Sequence, residues 1–263
     1  LRIQEHPLPM RAHFTDSLVL TYAFPPEVLR PLLTPGLELD TYRAQDGREY
    51  GFAAVAAVAL RGLRPAFLPA ELGLEQVMTG YRVFARLPVD RSRTGTGVRT
   101  LRGLRILRSQ TSSPVLAAAG AVLSRYRYER AVLGTRRVGD RLDFAVRSGD
   151  GRADLRVSAA LGGPTAPLPP RSPFATGRDA RRFAGPLPYT FEHGGRGGDV
   201  LVVKALRTSW EPRPVAVDVE RLTFFRHGPF QGTRPVLANA FHVSGVDYGW
   251  HRGVLMTPAG RRG

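Results

Sequence analysis

Lys204 is the only lysine in a chain of 263 residues; every other one of its 38 basic Lys and Arg side chains is an arginine. A desolvated lysine can lose its proton and attack a carbonyl, whereas arginine keeps its charge and binds. Lys204 stands in the apolar run from Val200 to Leu206. On a strand it would share one face with Val200, Val202 and Leu206, while Leu201, Val203, Ala205 and Arg207 would take the other. With both faces apolar, the run predicts an inner strand. Burial there would favour the neutral amine unless a carboxylate such as Glu75 paired with it. The competing reading is a lysine that snorkels at a rim or guards a sheet edge, which is the commoner role.

Other reactive types are sparse. His242, Asp247, Tyr248, Trp250 and His251 lie close in sequence, but their spacing matches no metal-ligand pattern and predicts turn or core roles. His227-Gly228-Pro229 reads as a turn, and Glu192-His193 before two glycines reads as a loop. A Gly-x-Ser-x-Gly elbow and a His-Glu-x-x-His pair are both missing, so hydrolase and zincin chemistry have no support. With no cysteine there are no disulfides, thiolate metal sites or cysteine nucleophiles. The sequence calls for no metal and no cofactor.

The formal charge is +16. Such a surface attracts polyanions without sequence preference, which leaves a polyanion- or nucleic-acid-binding module as an alternative function. The arginines are spread over the chain and form no block of five or more, so an arginine-favouring composition is the simpler account. At 43% hydrophobic and 23% charged the chain reads as globular. No run approaches the roughly 18 to 20 apolar residues of a membrane helix. Residues 1–10 lack a signal-peptide core, so the expectation is a cytoplasmic protein or one whose targeting segment has been removed.

The elements that must position these residues are mainly strands. The stretch from His13 to Phe24 predicts a strand, followed by a short helix opened by Pro25-Pro26. Asp46-Gly47 predicts a hairpin turn before an apolar strand from Tyr50 to Leu60. The segment from Leu63 to Leu72 reads as irregular. Strands over 75–89 and 98–107 would be joined by a turn containing Gly95-Thr96-Gly97, a glycine pair too sparse for a phosphate loop. Arginines 99, 102, 105 and 108 would form a stripe on a helix but alternate on a strand, and the strand reading prevails. Ser113-Pro114 caps a helix over 115–123. Gly149-Asp150-Gly151 joins strands over 142–147 and 153–161. Residues 162–173, with five prolines, form a loop inside a single domain spanning 1–263. A short helix over 174–183 and strands over 199–210, 215–225 and 236–243 complete an α+β chain with a barrel or curled, mainly antiparallel sheet.

Two stretches resemble the acetoacetate decarboxylase superfamily. One is Leu29-Arg30-Pro31-Leu32-Leu33-Thr34-Pro35-Gly36-Leu37-Glu38-Leu39-Asp40, and the other runs from Ala119-Gly120 to Ala131. The nearest branch is the uncharacterised YqjF-like group of conserved proteins, whose Glu-x5-Tyr pattern falls on Glu75 and Tyr81. The resemblance implies a cone-shaped antiparallel β-barrel around a small-molecule pocket, with peripheral helices. The expected ligand contacts are Tyr81, Arg82, Tyr126 and Tyr128, and the resemblance places Glu75 where the family has a pocket glutamate. The family's lysine pair is replaced near Tyr128 and Glu129, and a first-strand arginine is replaced near Thr15. Decarboxylation through the known Schiff base is therefore not expected. The expected function is binding of a small anionic or keto-containing molecule; a lyase-like activity would fall to Lys204 and Glu75. A non-catalytic scaffold is the remaining alternative, and a homo-oligomer is compatible with the sequence.

Overall fold

Every residue from Gly51 to Leu60 is buried. A strand covered on both faces needs no polar alternation, which is why this run is apolar throughout. In the computed structural model, which describes residues 5–90, 97–123, 128–185, 187–195 and 198–260, the run lies in the longest part of a large mixed sheet. The strands are β1 (Met10–Phe24), β2 (Glu38–Leu39), β3 (Thr41–Arg43), β4 (Glu49–Pro65), β5 (Leu74–Asp90), β6 (Val98–Thr111), β7 (Tyr128–Val138), β8 (Arg141–Ser148), β9 (Leu155–Ala160), β10 (Tyr189–His193), β11 (Val200–Arg207), β12 (Arg213–Pro214), β13 (Ala216–Leu222), β14 (Val236–Trp250) and β15 (Val254–Met256). Among the described residues three α-helices accompany them: α1 (Pro26–Leu29), α2 (Pro114–Leu123) and α3 (Gly177–Ala184).

Pairing runs β1–β4–β5–β6–β10–β11–β14 and back to β1, a closed ring of seven strands. Closure leaves no open edge in the ring. Most pairings are antiparallel, but β6 pairs in parallel with β10 at residues 103–105 and with β7 at 109–111. That fork sends the chain into an outer antiparallel sheet, β7–β8–β9–β13. Arg108 anchors the fork: its guanidinium holds Glu129 and, at 3.0 Å, Asp150 in the β8–β9 turn. That hydrogen bond draws the Asp150 carboxyl down to about 2.

The main core fills the space between the ring and the outer sheet. Leu18, Leu20 and Tyr22 of β1, Val55 and Ala57 of β4, and Tyr81 and Val83 of β5 meet Phe144 of β8 and Val157 of β9. The alternate residues of the same ring strands face inward. At one end, Phe52 and Phe84 pack with Phe174 and with Phe183 of α3, and the Phe52 and Phe174 rings stack at 5.1 Å. Thr176 caps α3 by accepting a hydrogen bond from the Asp179 amide at 3.1 Å, so this aromatic plug sits on a defined helix start.

The predicted strands near 13–24, 50–60, 75–89 and 98–107 and the helix from 115 are present. Three expectations change. The strand predicted over 236–243 continues to Trp250, because its apolar inner positions persist through Val246, Tyr248 and Trp250. Glu192-His193, read as a loop, belongs to β10, where Glu192 is buried and paired with Arg105. The segment read as irregular from Leu63 is still strand to Pro65. Arg102 and Arg105 fall on opposite faces of β6, as a strand requires, but the register shift before Arg108 puts it on the same outer face as Arg105. Each of the three meets a carboxylate: Asp40, Glu192 and Asp150. Gly95-Thr96 lies outside the described residues.

Candidate ligand-binding cavity

Inside the ring, between the α3 plug and the opposite end, lies a cavity of about 140 Å³. All seven ring strands contribute to its wall. The alanines of β4 explain the space: Ala54 and Ala56 face inward where larger side chains would fill it. Ser17, Thr79, Ser109 and Thr190 supply hydroxyls, while Phe14, Trp210, Phe241 and Trp250 supply rings.

Four side chains give the cavity its chemistry: Arg82 of β5, Tyr128 of β7, Arg207 of β11 and Tyr248 of β14. Arg82 is directed inward at a register shift between β5 and β6, next to Tyr81. Such a bulge re-aims the side chains beside it. Gly80, two residues earlier on the same face, leaves the guanidinium room to lie back; a β-carbon there would come within 3.3 Å of it. Arg207 lies over the Trp210 ring at 5.0 Å. Tyr248 stacks on Phe14 at 4.4 Å and meets Trp250 edge-on at 4.8 Å. Tyr128 packs against Gly120 of α2, whose missing side chain is what lets the ring approach.

The electrostatics follow from burial. Desolvation pushes the Tyr128 hydroxyl up to about 12 and also raises that of Tyr248, against the opposing pull of Arg82 on both and of Arg207 on Tyr248. Both phenols are therefore neutral hydrogen-bond donors at physiological pH. Desolvation lowers the pKa of Arg207, and the nearby Tyr248 partly offsets this; arginine nevertheless stays protonated. Among the described residues no carboxylate lines the cavity. Two guanidiniums and two phenols in a confined space favour an anion with a further oxygen acceptor.

The sequence-predicted site residues separate. Arg82 and Tyr128 line the cavity. Tyr81, adjacent to Arg82, points the opposite way: it is fully buried in the main core, stacks on Phe224 at 4.0 Å and donates its hydroxyl to the Ala153 carbonyl at 3.2 Å. Tyr126 lies outside the described residues. Lys204 is exposed. The face assignment of its strand holds, but Ala205 and Arg207 take the inside, which puts Lys204 and Leu206 outside. Glu75 is exposed and lines an open groove at the end of the ring with Arg11, His13 and Arg64. The structure thus does not unite Lys204 and Glu75 in the cavity. His242 and His251 do not cluster either; His242 binds Asp16 at 2.8 Å, while Asp247 binds His13 at 2.8 Å. Among the described residues no group of three or more His, Cys, Asp or Glu could hold a metal.

The sequence matches the family of uncharacterized conserved proteins DUF2071 over residues 11–245. The chain belongs to this family. The matched DUF2071 span carries Arg82, Tyr128 and Arg207 and ends just before Tyr248 and Trp250. No curated protein matches the sequence. Among solved structures, this DUF2071 chain resembles acetoacetate decarboxylase from Legionella pneumophila, with a TM-score of 0.59 and 13% identity over 96% of this chain and 89% of that one. It also resembles the enduracididine biosynthesis enzyme MppR complexed with pyruvate, with a TM-score of 0.54 and 16% identity over 96% and 91% of the two chains. An acetoacetate decarboxylase-like enzyme from Sphingomonas wittichii RW1 gives 0.54 and 13% over 95% and 92%. At these identities the likeness establishes a shared fold. No helix among the described residues is long and apolar enough to cross a membrane.

The sequence reads Tyr248 and Trp250 as turn or core residues, Arg207 only as a strand-face residue and Trp210 not at all, so none of the four was expected at the ligand. Arg207 shares a face of β11 with Val203 and Ala205, but Lys204 shares the other with Val200 and Val202, so the sequence alone carries no signal for which cation faces inward.

Proposed function

We propose that this protein binds a small carboxylate, with or without a keto group, inside the ring. The observation that carries the reading is the pairing of Arg82 and Arg207 with Tyr128 and Tyr248 around one cavity. A carboxylate would sit between the guanidiniums, and a keto or second carboxylate oxygen would accept from a phenol. The complex of MppR with pyruvate supports this choice of ligand class.

A Schiff base is not part of the proposal. The only lysine, Lys204, is exposed on the outer side of β11. Any reaction would instead draw on electrostatic stabilisation of a developing enolate or carboxylate by the cationic wall. The polyanion alternative gains nothing comparable from the surface. Arg86, Arg102, Arg105, Arg108, Arg141, Arg156 and Arg221 each meet a carboxylate.

Calorimetric titration with pyruvate and with its uncharged amide tests the reading. Saturable one-to-one binding of pyruvate, and binding at least tenfold weaker for the amide, is the expected result. Equal affinity for both would remove the anion from the account.

A further inference from the structure

A second chamber adjoins the cavity and differs from it in chemistry. It has a volume of about 210 Å³ and is walled by Met10, Leu63, Leu74, Val115 and Leu116. Met78, Tyr128 and Trp250 line both spaces, so the polar cavity and the apolar chamber share a wall. Met10, Leu63, Met78, Leu116 and Trp250 pack in one cluster with the inward-facing Phe14, Ala56 and Phe241, which places the chamber on the inner side of the ring. Helix α2 covers it through Val115, Leu116 and Gly120.

The mouth is apolar too. Leu74 and Val115, at 41% and 64% exposure, line the chamber and reach solvent. Large apolar side chains gathered at one opening mark a path for an apolar group. The interior is therefore graded, from the aromatic plug at α3 through the cationic cavity to an apolar antechamber under α2.

We propose that the ligand is an amphipathic acid, whose carboxylate lies among Arg82, Arg207, Tyr128 and Tyr248 and whose hydrocarbon substituent lies in the chamber under α2. This rests on the anion-binding reading above and names the substrate class within it. An acid as small as pyruvate would leave the chamber unfilled, forgoing the apolar burial its walls offer. Each methylene that enters tightens binding about fourfold. A space of this size holds about seven water-sized groups, so the gain ends once the chain reaches the mouth.

The test is a titration of straight-chain 2-oxo acids, from pyruvate to 2-oxodecanoate, followed by tryptophan fluorescence. The chain's two tryptophans, Trp210 and Trp250, both line the cavity. Affinity is expected to rise about fourfold per methylene and then level off. Leu116→Trp, which fills the chamber, and Leu74→Asp, a change at an exposed rim that leaves the core intact, are both expected to flatten that slope. If pyruvate binds but affinity is indifferent to chain length, the apolar substituent is refuted while the anion site stands. A slope that persists unchanged in both variants also refutes it, because the hydrocarbon would then lie elsewhere. Failure of every acid to bind overturns the anion site and this inference together.

Discussion

The Arg207 guanidinium lies 5.0 Å from the centre of the Trp210 ring, inside the strand ring and near Tyr248. Stacking on an aromatic face compensates part of the hydration that a guanidinium loses on burial. It also fixes the direction of the charge, because Trp210 in turn packs against Phe241 at 6.4 Å and Tyr248 at 6.3 Å. The cation is thereby held toward the cavity, as catalytic and binding cations must be if they are to act before solvent reorganises.

Gly120 decides whether Tyr128 can line the cavity. A β-carbon at Gly120 would stand 2.4 Å from the Tyr128 ring. In a helix, glycine to alanine ordinarily stabilises by about 1 kcal/mol. Here overpacking of about 1 to 3 kcal/mol should win. Gly120→Ala is expected to lower the thermal midpoint and to weaken ligand binding by displacing the phenol; calorimetry and fluorescence titration measure the two effects.

Tyr81 separates the family pattern from the observed cavity. Tyr81→Phe removes the hydrogen bond to the Ala153 carbonyl in the main core. It should cost about 0.5 to 1.5 kcal/mol in urea unfolding. Ligand affinity should stay within twofold, since the ring faces away from the cavity. A selective loss of binding would return Tyr81 to the site.

Alkaline pH should destabilise the protein in a defined window. Burial raises the hydroxyl pKa of Tyr22 and Tyr81 well above 10, and that of Tyr128 to about 12. Above pH 10 the unfolded chain loses these protons before the folded one, so folding stability falls as pH rises. The slope is about 1.4 kcal/mol per pH unit for each fully buried tyrosine. Urea midpoints between pH 8 and 11 should be flat below 10 and fall above it. Ligand binding should show no inflection near 10, because the cavity phenols are still protonated there.

Lys204 should be dispensable. Lys204→Gln is expected to change stability by less than about 0.5 kcal/mol, as for an exposed site, and to leave ligand affinity unchanged. Borohydride treatment with pyruvate should yield no adduct by mass spectrometry. An adduct lost in the variant would restore the amine to the chemistry.

Much of the architecture was legible because periodicity and turn residues act locally. The apolar run at 51–60, the Asp46-Gly47 turn and the Ser113-Pro114 helix start each carry their own signal. β10 was hidden because its five residues lie between proline-rich and glycine-rich segments. The site was harder. Both faces of β11 are apolar, so alternation paired Lys204 with Leu206 and Ala205 with Arg207 correctly but could not say which pair was inside. Pairing of Ala205 and Arg207 with Trp250 and Tyr248 of β14, whose rings line the cavity, settles that only in three dimensions. Arg82 and its neighbour Tyr81 were both expected at the ligand, but adjacent residues of one strand face opposite ways, and only Arg82 lines the cavity.

The most direct test of the central claim is a fluorescence titration of wild type, Arg82→Gln and Arg207→Gln with pyruvate and the longer 2-oxo acid that binds best. Loss of a charged hydrogen bond costs about 1.5 to 3 kcal/mol. Each single variant should therefore weaken binding roughly tenfold to a hundredfold while retaining the fold by circular dichroism. Unaltered affinity in both folded variants would contradict an anion site between Arg82 and Arg207.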